Sequence, residues 1–180
     1  MSDVIYQSKS ALLEFLSTNY QGPGAIVGYT RYTSAAATTF AATGTPYIHV
    51  LNGSDKVSLT FTAPPSGIVQ LTCAVFMNPG NDDYGLLALS DDGASWSTYT
   101  PPGDPTDTSS QLIYSDNTDL TYNAARWTLH SLSPGTSYTF YLGIAIQGAG
   151  QTFDIRWGGQ YPSMILKAIS LPSDSVLVNG

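Results

Sequence analysis

Cysteine, histidine and charge are all scarce in this chain. Cys73 is the only cysteine among 180 residues, so no disulfide can form within the chain. It lies in the middle of an apolar stretch and is expected to be a buried structural thiol. His49 and His130 are the only histidines. Neither they nor Cys73 show metal-ligand spacing, and no Gly-x-Ser-x-Gly elbow occurs. No catalytic residue, metal site or cofactor is therefore expected. Charged residues make up only 11% of the chain, and the formal net charge is −7. Lys9, Lys56, Lys167, Arg31, Arg126 and Arg156 are the only cations, too few for a basic nucleic-acid footprint. No apolar run reaches the roughly 20 residues that span a bilayer, so no membrane partner is expected. The opening MSDVIYQSKS lacks a basic-then-apolar signal pattern, which predicts synthesis in a cytoplasm.

Strand grammar fills this space. In Lys56–Met77, Val57, Leu59 and Phe61 alternate with Lys56, Ser58, Thr60 and Thr62, the period of a half-buried strand. Pro64 and Pro65 cannot donate to a ladder and Gly67 accepts positive φ, so the chain turns there. A second strand follows, with Val69, Leu71, Cys73, Val75 and Met77 on one side. Further strands are expected at Ala25–Thr33, Tyr47–Leu51, Leu120–Leu132, Thr136–Ile146, Thr152–Trp157 and Ser163–Leu171, and Ser34–Gly44 reads as a strand or an extended connection. Gly85–Ser90 and Ser95–Tyr99 are expected to form a hairpin about Asp91-Asp92-Gly93. Thr100–Thr118, rich in Pro, Asp, Ser and Thr, reads as a long exposed loop. The sum is an all-β sandwich of about eight to ten antiparallel strands over residues 25–180.

Residues 1–24 differ. Ser8–Leu16 carries an apolar stripe of Leu12, Leu13, Phe15 and Leu16, and Gly22-Pro23-Gly24 ends it. A helix this short is unstable alone in water. It is expected to act as an arm that docks on its own domain, a sister subunit or a larger partner.

Two strands are apolar on both faces. Tyr138, Phe140, Leu142, Ile144 and Ile146 alternate with Tyr141, Gly143 and Ala145. Met164, Leu166 and Ala168 alternate with Ile165, Lys167 and Ile169. An outer face without polar residues is covered, either by a loop or arm of the same chain or by another subunit. Tyr141, Ile165 and Ile169 are the candidate oligomer contacts.

Other motifs read as structure. Asp82-Asp83, Asp91-Asp92, Asp104 and Asp107 are turn carboxylates, without an EF-hand or calcium-repeat pattern. Asp91-Asp92-Gly93-Ala94-Ser95-Trp96 resembles the Asp-box of sialidase-like propellers, but Leu89 stands where a Ser is usual and the motif occurs once. It reads as a turn with a packed Trp. The 12 Tyr and 3 Trp leave rings for recognition. Tyr84, Trp96 and Tyr99 lie near loops and are the candidate glycan contacts. Trp127 and Trp157 alternate with polar residues and belong in the core. His130 shares a side with Arg126 and Thr128 and is expected to face out or into an interface.

The run Leu59-Thr60-Phe61-Thr62-Ala63-Pro64-Pro65-Ser66-Gly67 resembles the strand–turn of jelly-roll domains in tailed-bacteriophage virion proteins, akin to the C1q/TNF-like fold. Leu132-Ser133-Pro134-Gly135-Thr136-Ser137-Tyr138-Thr139-Phe140 and Ile165-Leu166-Lys167-Ala168-Ile169 resemble later strands of the same domains. The likeness covers about Thr38 to Leu171. It implies a jelly roll and a homotrimer. It implies a non-enzymatic capsid decoration or cement protein, held on the virion by the major capsid protein or another virion protein. The alternative it leaves open is a fiber or tail receptor-binding module that holds a host surface glycan with its distal loops.

Overall fold

The computed structural model describes residues 22–34, 36–43, 48–78, 83–96, 111–115, 121–146 and 149–173. The arm stripe Leu12, Leu13, Phe15 and Leu16 lies outside the described residues, as does Tyr99. All regular structure described is strand: β1 (Ile26–Tyr32), β2 (Ala36–Thr43), β3 (Ile48–His49), β4 (Leu51–Asn52), β5 (Asp55–Lys56), β6 (Ser58–Thr62), β7 (Val69–Asn78), β8 (Asp83–Ser90), β9 (Gln111–Ser115), β10 (Thr121–Leu129), β11 (Ser137–Ile146), β12 (Ala149–Trp157) and β13 (Met164–Ser170).

Every described pairing is antiparallel. A strand has two edges, so the register fixes the sheets. One edge of β7 is taken along Val69–Met77 by β10. Its other edge is shared end to end by β13, opposite Val69–Ala74, and β12, opposite Phe76–Asn78. The first sheet therefore runs β1-β13-β7-β10, with β12 and β2 extending it beyond Phe76. In the second sheet β11 pairs with β6 and β3 on one edge and β8 on the other, and β8 carries β9. Its order is β6-β11-β8-β9. The chain crosses between sheets from β6 to β7, β7 to β8, β9 to β10, β10 to β11 and β11 to β12. This is the path of a jelly roll, an all-β antiparallel sandwich.

The alternating residues of β6 and β7 face each other across the core. Leu59 and Phe61 of one, and Val69, Leu71, Cys73, Val75 and Met77 of the other, are all buried. Trp127, Leu129, Leu142, Ile144, Ile155, Trp157 and Leu166 complete the cluster. Gly67 has φ of 66°, and a Cβ there would lie 2.6 Å from the Leu132 carbonyl oxygen, so only glycine fits the turn. The turn lifts the chain from the second sheet to the first. Tyr32 ties the sheets at their rim. Its hydroxyl donates to the Ser58 carbonyl and accepts from the Ser58 amide, each at 2.9 Å.

Two expectations are corrected. Ser95 and Trp96, expected to open the second strand of a hairpin with β8, are not in a strand, while β8 pairs with β11 and β9, and residues 97–99 lie outside the described residues. The carboxylate of Asp92 captures the amides that a strand would have used. The stretch expected to be a loop over Thr100–Thr118 contains β9, Gln111–Ser115, whose Leu112 and Ile113 give it strand character despite the polar surroundings. Beside the two-residue pieces β3, β4 and β5, ten longer strands are seen among the described residues, within the expected eight to ten.

Candidate functional site

The outer face of the second sheet carries the sandwich's main turn-borne aromatic. After β8 the chain bends through Asp91–Ser95. Asp92 Oδ1 accepts from the Ala94 and Ser95 amides at 2.7 Å each and from the Ser90 hydroxyl at 2.8 Å. The Gly93 amide donates to Ser90 Oγ at 2.8 Å. These bonds, those from Ser95 and Ala94 first, hold the Asp92 carboxyl well below the usual carboxylate range. The Asp-box likeness would anchor the turn on Asp91; the structure anchors it on Asp92, one residue later.

The turn delivers Trp96 onto β11. A Cβ on Gly143 would lie 2.3 Å from Trp96 Cζ3 and 2.6 Å from Cε3, so the indole lies on bare glycine backbone. His49 stands edge-on to the indole, with centroids 4.8 Å apart, and edge-on to Tyr141 at 5.9 Å. A carbonyl only accepts, so His49 Nε2 donates to the Gly93 oxygen at 2.8 Å, and its proton sits on that nitrogen. Its Nδ1 is buried without a hydrogen-bond partner. Lys56 Nζ lies 5.5 Å from the Tyr141 ring centroid. The backbone explains the meeting: Val50 donates to Leu142 O at 2.9 Å and Leu142 to Val57 O at 3.0 Å, which fixes the β4–β5 hairpin beside β11.

Beside the indole opens a cavity of about 270 Å³ lined by Ser90, Asp91, Ser95, Trp96, Leu129 and Phe140. It lies where β8 has ended and that edge of β11 has no strand partner among the described residues. Trp96 itself is half-buried.

The other candidates separate. Tyr84 lies on β8, opposite Tyr114 of β9. Tyr141 is on the outer face of the second sheet. Ile165 and Ile169 are half-buried on the outer face of the first sheet, on the opposite side of the sandwich. Leu86, Ala88 and Ala145 alternate with core residues yet are buried within the single chain, so this chain covers the outer face of β8 and β11 itself. His130 is exposed, and Trp127 and Trp157 are buried. Among the described residues no group of three or more His, Cys, Asp or Glu could hold a metal ion.

Sequence reasoning missed a second cluster, on the first sheet. Phe76 packs against Tyr122 at 5.2 Å and Tyr161 at 5.8 Å between centroids. Arg156 lies over Tyr161 at 5.8 Å and donates to its hydroxyl at 3.2 Å and to Asp154 at 3.1 Å. Their outward parity was visible along each strand, but their adjacency depends on which strands pair.

No family model matches the chain, and no curated protein matches it. Among solved structures it is similar to the CBM22-1 xylan-binding domain of Paenibacillus barcinonensis Xyn10C, at 10% identity and a TM-score of 0.30, over 84% of this chain and 97% of that domain. A likeness at that level carries nothing about what this chain binds.

Proposed function

We propose that the chain is a non-catalytic jelly-roll recognition module that holds a glycan in the Trp96 cleft. The observation that carries this reading is a clamped, half-buried indole beside Ser90, Asp91 and Ser95 at a cavity of about 270 Å³. That volume is at or just below the small end of ligand pockets, which suits one sugar ring or a chain end. A pyranose offers an apolar C–H face to an aromatic ring and hydroxyls to neighbouring polar groups. Gly143 beneath and His49 at the edge preset the ring, so little freedom is lost on binding. A glycan array with the full chain, followed by titration of any hit, tests it. Trp96→Ala should weaken the hit by about tenfold or more, roughly 1.4 kcal/mol. No saturable glycan, or equal affinity in the variant, would overturn the reading.

A second reading is the virion decoration trimer implied by the family resemblance. It is supported by the β1 edge of the first sheet, where Ile26 is 62% exposed beside half-buried Ile169. Light scattering and co-sedimentation with virion shells lacking the protein test that role. A trimer that rebinds shells stoichiometrically supports it, and a monomer that ignores them removes it.

A further inference from the structure

The cations are not scattered. Of the chain's six, four lie on strands of the first sheet: Arg31 on β1, Lys167 on β13, Arg126 on β10 and Arg156 on β12. Arg126, Arg156 and Lys167 alternate with buried residues and Arg31 pairs with outward-facing Ile165, so all four belong to the outer face. Asp154 is the only acidic residue on that face among those described. A chain of net charge −7 thus presents one locally positive surface.

Register orders the surface into rows. Tyr122, Phe76 and Arg156 lie side by side across β10, β7 and β12. The next outward row is Ala124, Ala74, Ile165 and Arg31. The third is Arg126, Thr72, Lys167 and Tyr29. The small residues Ala124, Ala74 and Thr72 make a low floor between an aromatic end and a cationic end. At the aromatic end Tyr122 is 49% exposed. Arg126 and Lys167 have no ion pair among the described residues.

We infer that this face, over β10, β7, β13 and β12, binds an acidic polysaccharide, with Tyr122 and Tyr161 stacking sugar rings and Arg126, Lys167 and Arg156 meeting its carboxylates. Charge density selects this occupant over nucleic acid. Duplex DNA carries a charge about every 1.7 Å and would be repelled by the acidic remainder of the chain. A polysaccharide with one carboxylate per ring spreads its charge as the rows spread theirs. The β1 edge with Ile26 stays clear. The face lies on the opposite sheet from the Trp96 cleft and does not depend on it.

Affinity electrophoresis of the full chain through gels holding polygalacturonate, or its fully methyl-esterified form, tests the inference with one backbone and two charge states. The acid form should retard the protein, the ester should not, and raising salt from about 50 to about 200 mM should release it. Arg126→Glu with Lys167→Glu should weaken binding on the order of tenfold or more. Tyr122→Ala should weaken it severalfold, while Trp96→Ala leaves it unchanged. Circular dichroism and the denaturation midpoint report that the variants fold. Equal retardation by acid and ester, no retardation by either, or unchanged binding in the double variant would each overturn it. So would a wild-type oligomer that the double variant dissolves while neither protein binds polygalacturonate, since the face would then be a contact between copies.

Discussion

Replacing Gly143 with Ala should destabilise the protein only when Trp96 is present. The new Cβ would sit 2.3 Å from Trp96 Cζ3, whereas unstrained carbon atoms stay about 3.5–4.0 Å apart. The indole must retreat by more than about 1 Å, out of the site where His49 meets its edge. Overpacking of this kind costs about 1–3 kcal/mol. An opposing effect comes from the backbone. Gly143 has no positive φ, so Ala fits its conformation and should stabilise by about 0.4–1 kcal/mol through the unfolded chain. The clash is larger, so the variant should lose stability overall. With a slope of about 2 kcal/mol/M in urea, the midpoint should fall by roughly 0.3–1 M. In a Trp96→Ala background the clash is gone and the same substitution should raise the midpoint slightly. Tryptophan emission gives a second readout, because Trp127 and Trp157 are buried and a displaced Trp96 shifts the spectrum to the red. The same change in midpoint in both backgrounds would refute the packing of Trp96 on Gly143, and with it the preset ring on which the glycan reading rests.

Cys73 should be inert to a thiol reagent in the native protein and react only on unfolding, because burial pushes its thiol up to about 12. Since that lies above the unfolded value, this residue's contribution is complete below about pH 9 and is lost as pH climbs toward 12; the difference between the denaturation midpoints of wild type and Cys73→Ala should be constant below about pH 9 and change only in that window. Asp92→Ala should release the turn and weaken any glycan held at Trp96 while leaving the circular dichroism unchanged. The Asp92 carboxyl is held below its usual range, so its support is present at neutral pH and lost only as pH falls below the ordinary carboxylate range, where Trp96 emission should change in wild type and not in Asp92→Ala. Trp127→Ala, in the centre of the core, should cost about 3–5 kcal/mol, read as a collapse of the urea midpoint; a loss under 1 kcal/mol would contradict its burial. Ile169→Asp should lower the mass measured by light scattering without loss of β content, and an unchanged mass would remove this strand from any interface between copies.

Much of the architecture was legible along the chain. The alternation in Lys56–Thr62 and Val69–Met77, the Pro64-Pro65-Ser66-Gly67 turn and the inward parity of Trp127 and Trp157 are local signals, and each matches the fold. The two-faced apolar pattern of β11 was also legible, but not its meaning. It announced a cover, and only the structure identifies Trp96, carried in by the Asp92 turn, as part of it. β9 was hidden because a short strand inside a polar, proline-rich stretch gains its order from β8, which is distant in sequence.

The sequence by itself determined which residues turn inward, where the chain must bend and how little charge it carries. Period, proline and glycine act over a few residues, so one stretch of chain suffices to read them. The tertiary structure alone decided what meets across strands. His49 reaches Gly93 over 44 residues, and Phe76 lies between Tyr122 and Arg156 only because β10 and β12 both pair with β7. Strand pairing is set by the packing of the whole sandwich, through backbone groups that every residue shares. No local pattern encodes the partner, and the gathering of four cations on one face became visible only when those partners were known.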